Sequence, residues 1–100
     1  MVKIKLTKKA RIDLQAVENF IAEDNPSRAK SFVEEIMQSF ISTVGEFPLS
    51  SPLYNSQKSI RRFVFHSYNV YYHFNQAEQL VTVLHILNAA TVKNMTLKEL

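Results

Sequence analysis

One hundred residues, 46% of them apolar and 21% charged, describe a single domain (residues 1–100) with enough apolar material for a core and too little charge for a disordered chain. The absence of cysteine removes disulfides, thiolate metal sites and cysteine nucleophiles. The net charge of +3 conceals a segregation, with Lys3, Lys5, Lys8, Lys9 and Arg11 in a first stretch without acids, an acidic middle, and a basic end holding Lys58, Arg61, Arg62, Lys93 and Lys98.

Val2-Lys3-Ile4-Lys5-Leu6 alternates apolar and basic residues, which predicts a strand with one buried face. The same stretch lacks the apolar run of a secretory signal, and no window is apolar enough to cross a bilayer; a cytoplasmic protein without membrane partners is the expectation. Thr7 stands at a helix N-cap, and Ala10, Leu14, Val17 and Ile21 follow at spacings of four, three and four, one stripe of an amphipathic helix ending near Asp24. Asn25-Pro26 caps a second helix, whose stripe is Ala29, Phe32, Val33, Ile36, Met37, Phe40, Ile41 and Val44. Gly45, the only glycine, is placed to close it in a left-handed C-cap. Joined by one tight turn, the helices should form an antiparallel hairpin.

Phe47 to Gln57, with Pro48 and Pro52 among serines and asparagines, reads as a loop. Ser59–Phe65, Tyr68–Asn75 and Gln79–Leu87 are rich in β-branched and aromatic residues and read as strands separated by short turns. Residues 91–100 read as either a short helix or a loose tail. The plan is α+β: an N-terminal strand, an antiparallel helical hairpin, then a three-stranded antiparallel meander, in one sheet with the helices on one face.

A single glycine leaves no phosphate-cradling loop, and His66, His73 and His85 lie apart without metal-ligand spacing, so neither cofactor nor metal is expected. In a strand Arg61 and Arg62 point to opposite faces. A guanidinium there either holds a phosphate or carboxylate through its planar fork or keeps a strand rim soluble. Tyr68, Tyr71 and Tyr72 read as core residues before base-stacking ones. His85, between Leu84 and Ile86, reads as a half-buried structural histidine before a general acid or base, since the sequence offers it no evident partner.

Several segments taken together carry a resemblance. KARIDLQAVENFIAEDNPSRAKSFVEEI, VGEFPLSSP, SIRRFVFHSYNVYYHF and VTVLHIL resemble, in order and spacing over more than four-fifths of the chain, the helical hairpin, proline-bearing loop, Arg/Ser-Tyr-x-Val-x-Tyr strand and Val-Leu-His strand of RelE/ParE superfamily toxins, the ParE branch above all. The chain departs from that pattern at Asn88, near where family members often carry an arginine, and after its last strand has only Lys93 and Lys98 and no tyrosine. The resemblance implies the toxin of a type II toxin–antitoxin system, of the kind tied to plasmid stabilization, that inhibits growth by binding DNA gyrase. Arg61, Arg62 and Lys93 are then target-binding residues and none is catalytic. The alternative is a RelE-like, ribosome-dependent mRNA endonuclease with Arg61, Arg62 and His85 as active groups; a third reading is an inactive toxin-fold interaction module. All three imply a cognate antitoxin and a toxin–antitoxin hetero-oligomer, the basic ends suiting an acidic antitoxin tail.

Overall fold

The computed structural model describes residues 2–92. The elements run β1 (Lys3–Leu6), α1 (Lys8–Ala22), α2 (Pro26–Val44), β2 (Leu53–Asn55), β3 (Ile60–Phe65), β4 (Tyr68–Asn75), β5 (Leu80–Asn88) and the single turn α3 (Ala89–Val92). The five strands form one mixed sheet in the order β1-β5-β4-β3-β2. β1 lies parallel to β5, and the other pairs are antiparallel.

The helix starts follow from their caps. The Thr7 hydroxyl accepts the Ala10 amide at 3.1 Å and donates to the Leu84 carbonyl at 3.2 Å, so one side chain both begins α1 and fastens it to β5. The Asn25 side chain accepts the Arg28 amide at 3.1 Å, and Pro26 occupies the first turn of α2. From α1, Ala10 and Val17 are buried and Leu14 and Ile21 partly so; from α2, Ile36, Phe40 and Val44 are buried. They meet Val70, Tyr72, Val81, Val83 and Ile86 on one face of the sheet. Phe40 sits at the centre, edge-on to both Phe63 and Tyr72 with ring centroids 5.4 Å away in each case.

Three expectations are corrected. The stretch Phe47–Gln57 is not all loop: β2 adds a fifth strand, pairing Leu53 with Arg61 and Asn55 with Ile60 across a register shift. Three residues with a bulge, next to Pro52, are too short and irregular to show a period of two. Gly45 is right-handed, at φ −59° and ψ −35°, not left-handed. It is buried, and its carbonyl accepts the Val2 amide at 3.3 Å, so close approach of the β1 backbone is what a side chain would obstruct. Ile41, counted in the buried stripe of α2, is 40% exposed.

The left-handed residues are instead Ser59, His66 and Gln79, with φ of 53–54°. Ser59 and Gln79 each end a turn directly before a strand, whereas His66 opens the two-residue turn between β3 and β4, and the first two turns share one construction. Asn55 accepts the Lys58 amide at 3.1 Å and Asn75 accepts the Glu78 amide at 3.0 Å, and Ser59 and Gln79 follow. A Cβ in this conformation costs about 1 kcal/mol. Ser59→Gly, at an exposed site, is therefore expected to stabilise the protein by about 0.5–1 kcal/mol in urea unfolding. A lower midpoint would show that the turn is not strained.

No helix among the described residues is long and apolar enough to cross a membrane.

Candidate functional site

Strand alternation turns Arg61 and Arg62 to opposite sides, as read from the sequence. Arg61 lies on the helix side, where its Nη1 donates to the Ser51 carbonyl at 2.7 Å and the Leu49 carbonyl at 3.3 Å. The Tyr72 hydroxyl donates to the Pro48 carbonyl at 2.8 Å. Both side chains thus hold the backbone of the α2–β2 loop, while Phe47 and Leu49 of that loop stay exposed.

Arg62 faces the open side of the sheet. Its guanidinium carbon stands 5.7 Å from the Tyr54 ring centroid, and its Nε is buried with no hydrogen-bond partner among the described residues. Tyr54 packs edge-on against Tyr71 at 4.9 Å, and Asn69 donates from Nδ2 to the Tyr71 hydroxyl at 3.1 Å. Tyr68, Tyr71 and Tyr72 are 7%, 0% and 0% exposed, so all three are core residues, Tyr71 under the cover of Tyr54 on the open side. Burial raises the pKa of Tyr71 and Tyr72 above the usual phenol value, which keeps both hydroxyls protonated as donors and acceptors.

His85 has a partner that the sequence did not reveal. Its Nδ1 lies 3.0 Å from Oδ2 of Asp13, and the same oxygen accepts the Ile86 amide at 3.0 Å. Leu84 is the extra residue of a bulge, because Tyr71 pairs with His85 while Tyr72 pairs with Val83. Such a bulge re-aims the neighbouring side chain, here around the strand edge toward α1. The two residues are 72 positions apart, too far for a local pattern.

Arg62, Tyr71 and His85 stand in one cross-strand row on β3, β4 and β5. Arg61 is not part of it, so the structure does not bring Arg61, Arg62 and His85 together. Lys93 and Lys98 lie outside the described residues, as does the tail from 93 onward. Asn88 ends β5, and its Oδ1 accepts the Ala90 amide at 2.9 Å, capping α3. Among the described residues no group of three or more His, Cys, Asp or Glu is placed to hold a metal ion.

Beside Asp13 a groove of about 450 Å³ opens between α1 and the end of β5. Ala16, Val17 and Phe20 form one wall, and Tyr68, Ile86 and Leu87 the other. Phe20 is 64% exposed. It stands outside the Ala10, Leu14, Val17 and Ile21 stripe read from the sequence, and the groove that it borders was not foreseen.

The family model described as the ParE toxin of type II toxin–antitoxin system, parDE, matches residues 4–92. No protein of curated function matches the chain. Among solved structures, the chain is similar to the chromosomal ParDE toxin–antitoxin system of P. aeruginosa, at 17% identity and a TM-score of 0.71, over 88% of this chain and 96% of that one. It is similar to the RelBE2 toxin–antitoxin complex of Mycobacterium tuberculosis, at 17% identity and a TM-score of 0.66, over 87% and 90% of the two chains. It is also similar to the intact E. coli RelBE toxin–antitoxin complex, at 12% identity and a TM-score of 0.58, over 89% and 98%. At these identities the structural likenesses speak for the fold.

Proposed function

The chain belongs to the ParE toxin family of type II toxin–antitoxin systems, and from that premise we propose that it acts in the cytoplasm by binding DNA gyrase, performs no chemistry of its own, and is held inactive by a cognate antitoxin. The observation that supports binding over RNA cleavage is the dispersal of the would-be active groups. Cleavage needs a base for the 2′-hydroxyl and cations on the developing phosphorane charge, all within reach of one bond. Arg61 is turned to the helix side and engaged with loop carbonyls, and His85 is engaged with Asp13. What the open face offers a target is Arg62, supported by Tyr54 and Tyr71. Lys93 and the chain end complete the target-binding set in this reading.

A second reading, ribosome-dependent mRNA cleavage, is supported by the cross-strand register in which Arg62, Tyr71 and His85 are partners on β3, β4 and β5. Cleavage of mRNA on ribosomes by the purified protein would decide for it.

The antitoxin enters through the same premise. The outer edge of β1 carries Lys3 and Lys5, both exposed, and continues into exposed Lys8 and Lys9, a cationic border for an acidic partner segment. Production of the chain alone is expected to arrest growth, and co-production of a small protein encoded beside it to restore growth. Harmless accumulation of folded protein would leave only the inactive module.

A further inference from the structure

We infer that the open face of the sheet lies against duplex DNA, with Lys3 and Lys5 at one edge and Arg62 toward the other holding phosphates. The inference rests on the gyrase reading, which supplies a DNA-bound target, and it adds that part of what the toxin grips there is the DNA.

The charge of the molecule is divided by element. The five strands contain no aspartate or glutamate, and four of their residues, Lys3, Lys5, Arg61 and Arg62, are cationic. The described acids stand on α1 and α2, in the turn that joins them, at Glu46 in the α2–β2 loop and at Glu78 in the β4–β5 turn. Because the helices cover one face of the sheet, the opposite face is left with cations and no strand carboxylate. A duplex is drawn to that face and repelled by the helical hairpin, which fixes how the domain would lie on it.

Pairing fixes which cations reach the open face. Lys3 and Lys5 pair with Leu80 and Thr82, while Ile4 and Leu6 pack against the core, so both lysines point to the open side. Both are exposed, and neither they nor Arg62 is ion-paired among the described residues. The Arg62 Nε lacks a hydrogen-bond acceptor, and a phosphate oxygen is one that a guanidinium fork takes well. Thr82 pairs with His73, and His73 with Ile60, two residues before Arg62. Lys5 and Arg62 are therefore three inter-strand gaps apart, about 15 Å. The DNA major groove is about 12 Å wide, so long side chains from the two positions can meet phosphates of both strands.

The same face suits other acidic ligands less well. A single strand binds by stacking its bases on exposed aromatic planes. Here Tyr71 is buried, and the Tyr54 ring has the Arg62 guanidinium against it. An acidic protein segment needs an apolar anchor between its charged contacts, and the row between Lys5 and β3 holds Thr82 and His73. The acidic segment proposed for the β1 border and the duplex would compete for Lys3 and Lys5.

The test uses the full chain and a short fluorescein-labelled duplex without gyrase, followed by fluorescence anisotropy from about 50 to 200 mM salt. Saturable binding is expected at the low-salt end. The logarithm of the association constant should fall against the logarithm of salt with a slope of about −3, for three phosphate contacts at about −0.9 each. Lys3→Gln combined with Lys5→Gln is expected to weaken binding at least about tenfold at low salt and to reduce the slope to about −1. Lys30→Gln, which removes one charge from an exposed site on α2, should change the affinity less than about twofold. All three positions are exposed, so the variants should unfold at the wild-type temperature, which separates lost binding from lost folding. No saturable binding would overturn the proposal, and so would equal weakening by Lys30→Gln, which reduces the effect to diffuse charge. Tighter binding of the single strand, or of a polyglutamate peptide, would also overturn it and give the face to that class of ligand. Gyrase inhibition is read separately: inhibition without duplex binding rejects the DNA contact and leaves the gyrase reading intact, and duplex binding without inhibition rejects the gyrase reading.

Discussion

Replacing Phe40 with alanine is expected to remove about 3–5 kcal/mol of stability, the range for deleting a fully buried aromatic ring. The ring is 0% exposed and fills the space between α2 and the middle of the sheet. Two edge-to-face contacts, with Phe63 and Tyr72, are lost along with the buried area. Neither neighbour can swing in to fill the void easily, because Phe63 belongs to a paired strand and the Tyr72 hydroxyl is tied to Pro48. A domain of this size holds only about 5–15 kcal/mol in total, so the variant should populate its unfolded state measurably. Urea unfolding checks this, with Ile41→Ala as a reference on the same helix that should lose far less, given its 40% exposure. A loss under about 1 kcal/mol for Phe40→Ala would show that α2 does not bury this face.

Asp13→Ala is the second large effect, and it arises from hydrogen bonding. One carboxylate oxygen takes two donors, from the His85 ring and the Ile86 amide, in a setting where the two side chains are only 19% and 16% exposed. Removing the acceptor leaves both donors poorly solvated, with a loss of about 2–4 kcal/mol expected. Asp13→Asn, which keeps one oxygen in place, should lose roughly half as much. His85→Ala should lose less than Asp13→Ala, because the Ile86 amide keeps its acceptor. A double-mutant cycle on Asp13 and His85 measures the ring contact alone. Coupling near zero would mean that the carboxylate serves the strand edge and the histidine is incidental. The same variant also bears on the groove, since Asp13 fixes the point at which β5 stops being covered by protein and becomes an open edge.

Much of this fold was legible because its determinants are local. Thr7, Asn25 and Pro26 announce helix starts through hydrogen bonds that span three residues, and they act in the structure as read. The stripes on α1 and α2 repeat within single elements, and strand alternation alone placed Arg61 and Arg62 on opposite faces. What escaped is non-local or too short to repeat. β2 spans three residues and is defined by its neighbour β3. Gly45 looked like a cap by position, but the approach of Val2 from the other end of the chain is what it accommodates. The tyrosines were read correctly as core, yet Tyr71 is buried on the side away from the helices because Tyr54, from the unforeseen strand, covers it. Asp13 and His85 meet because a bulge at Leu84 turns the histidine around a strand edge, and no pattern in either segment alone encodes that. The basic residue Lys93, named with Arg61 and Arg62 as target-binding, lies outside the described residues.

The most direct test of the proposed activity is a supercoiling assay with purified gyrase, scoring both inhibition and trapped cleaved DNA as the toxin is titrated. Arg62→Ala serves as the binding-defective variant, since Arg61 is engaged in holding the α2–β2 loop and its loss would disturb the fold locally. Inhibition by the wild type, with at least about tenfold more protein needed for Arg62→Ala, is the predicted result and would place the gyrase contact on the open face of the sheet. Undisturbed supercoiling at a large excess of wild-type toxin would contradict the account.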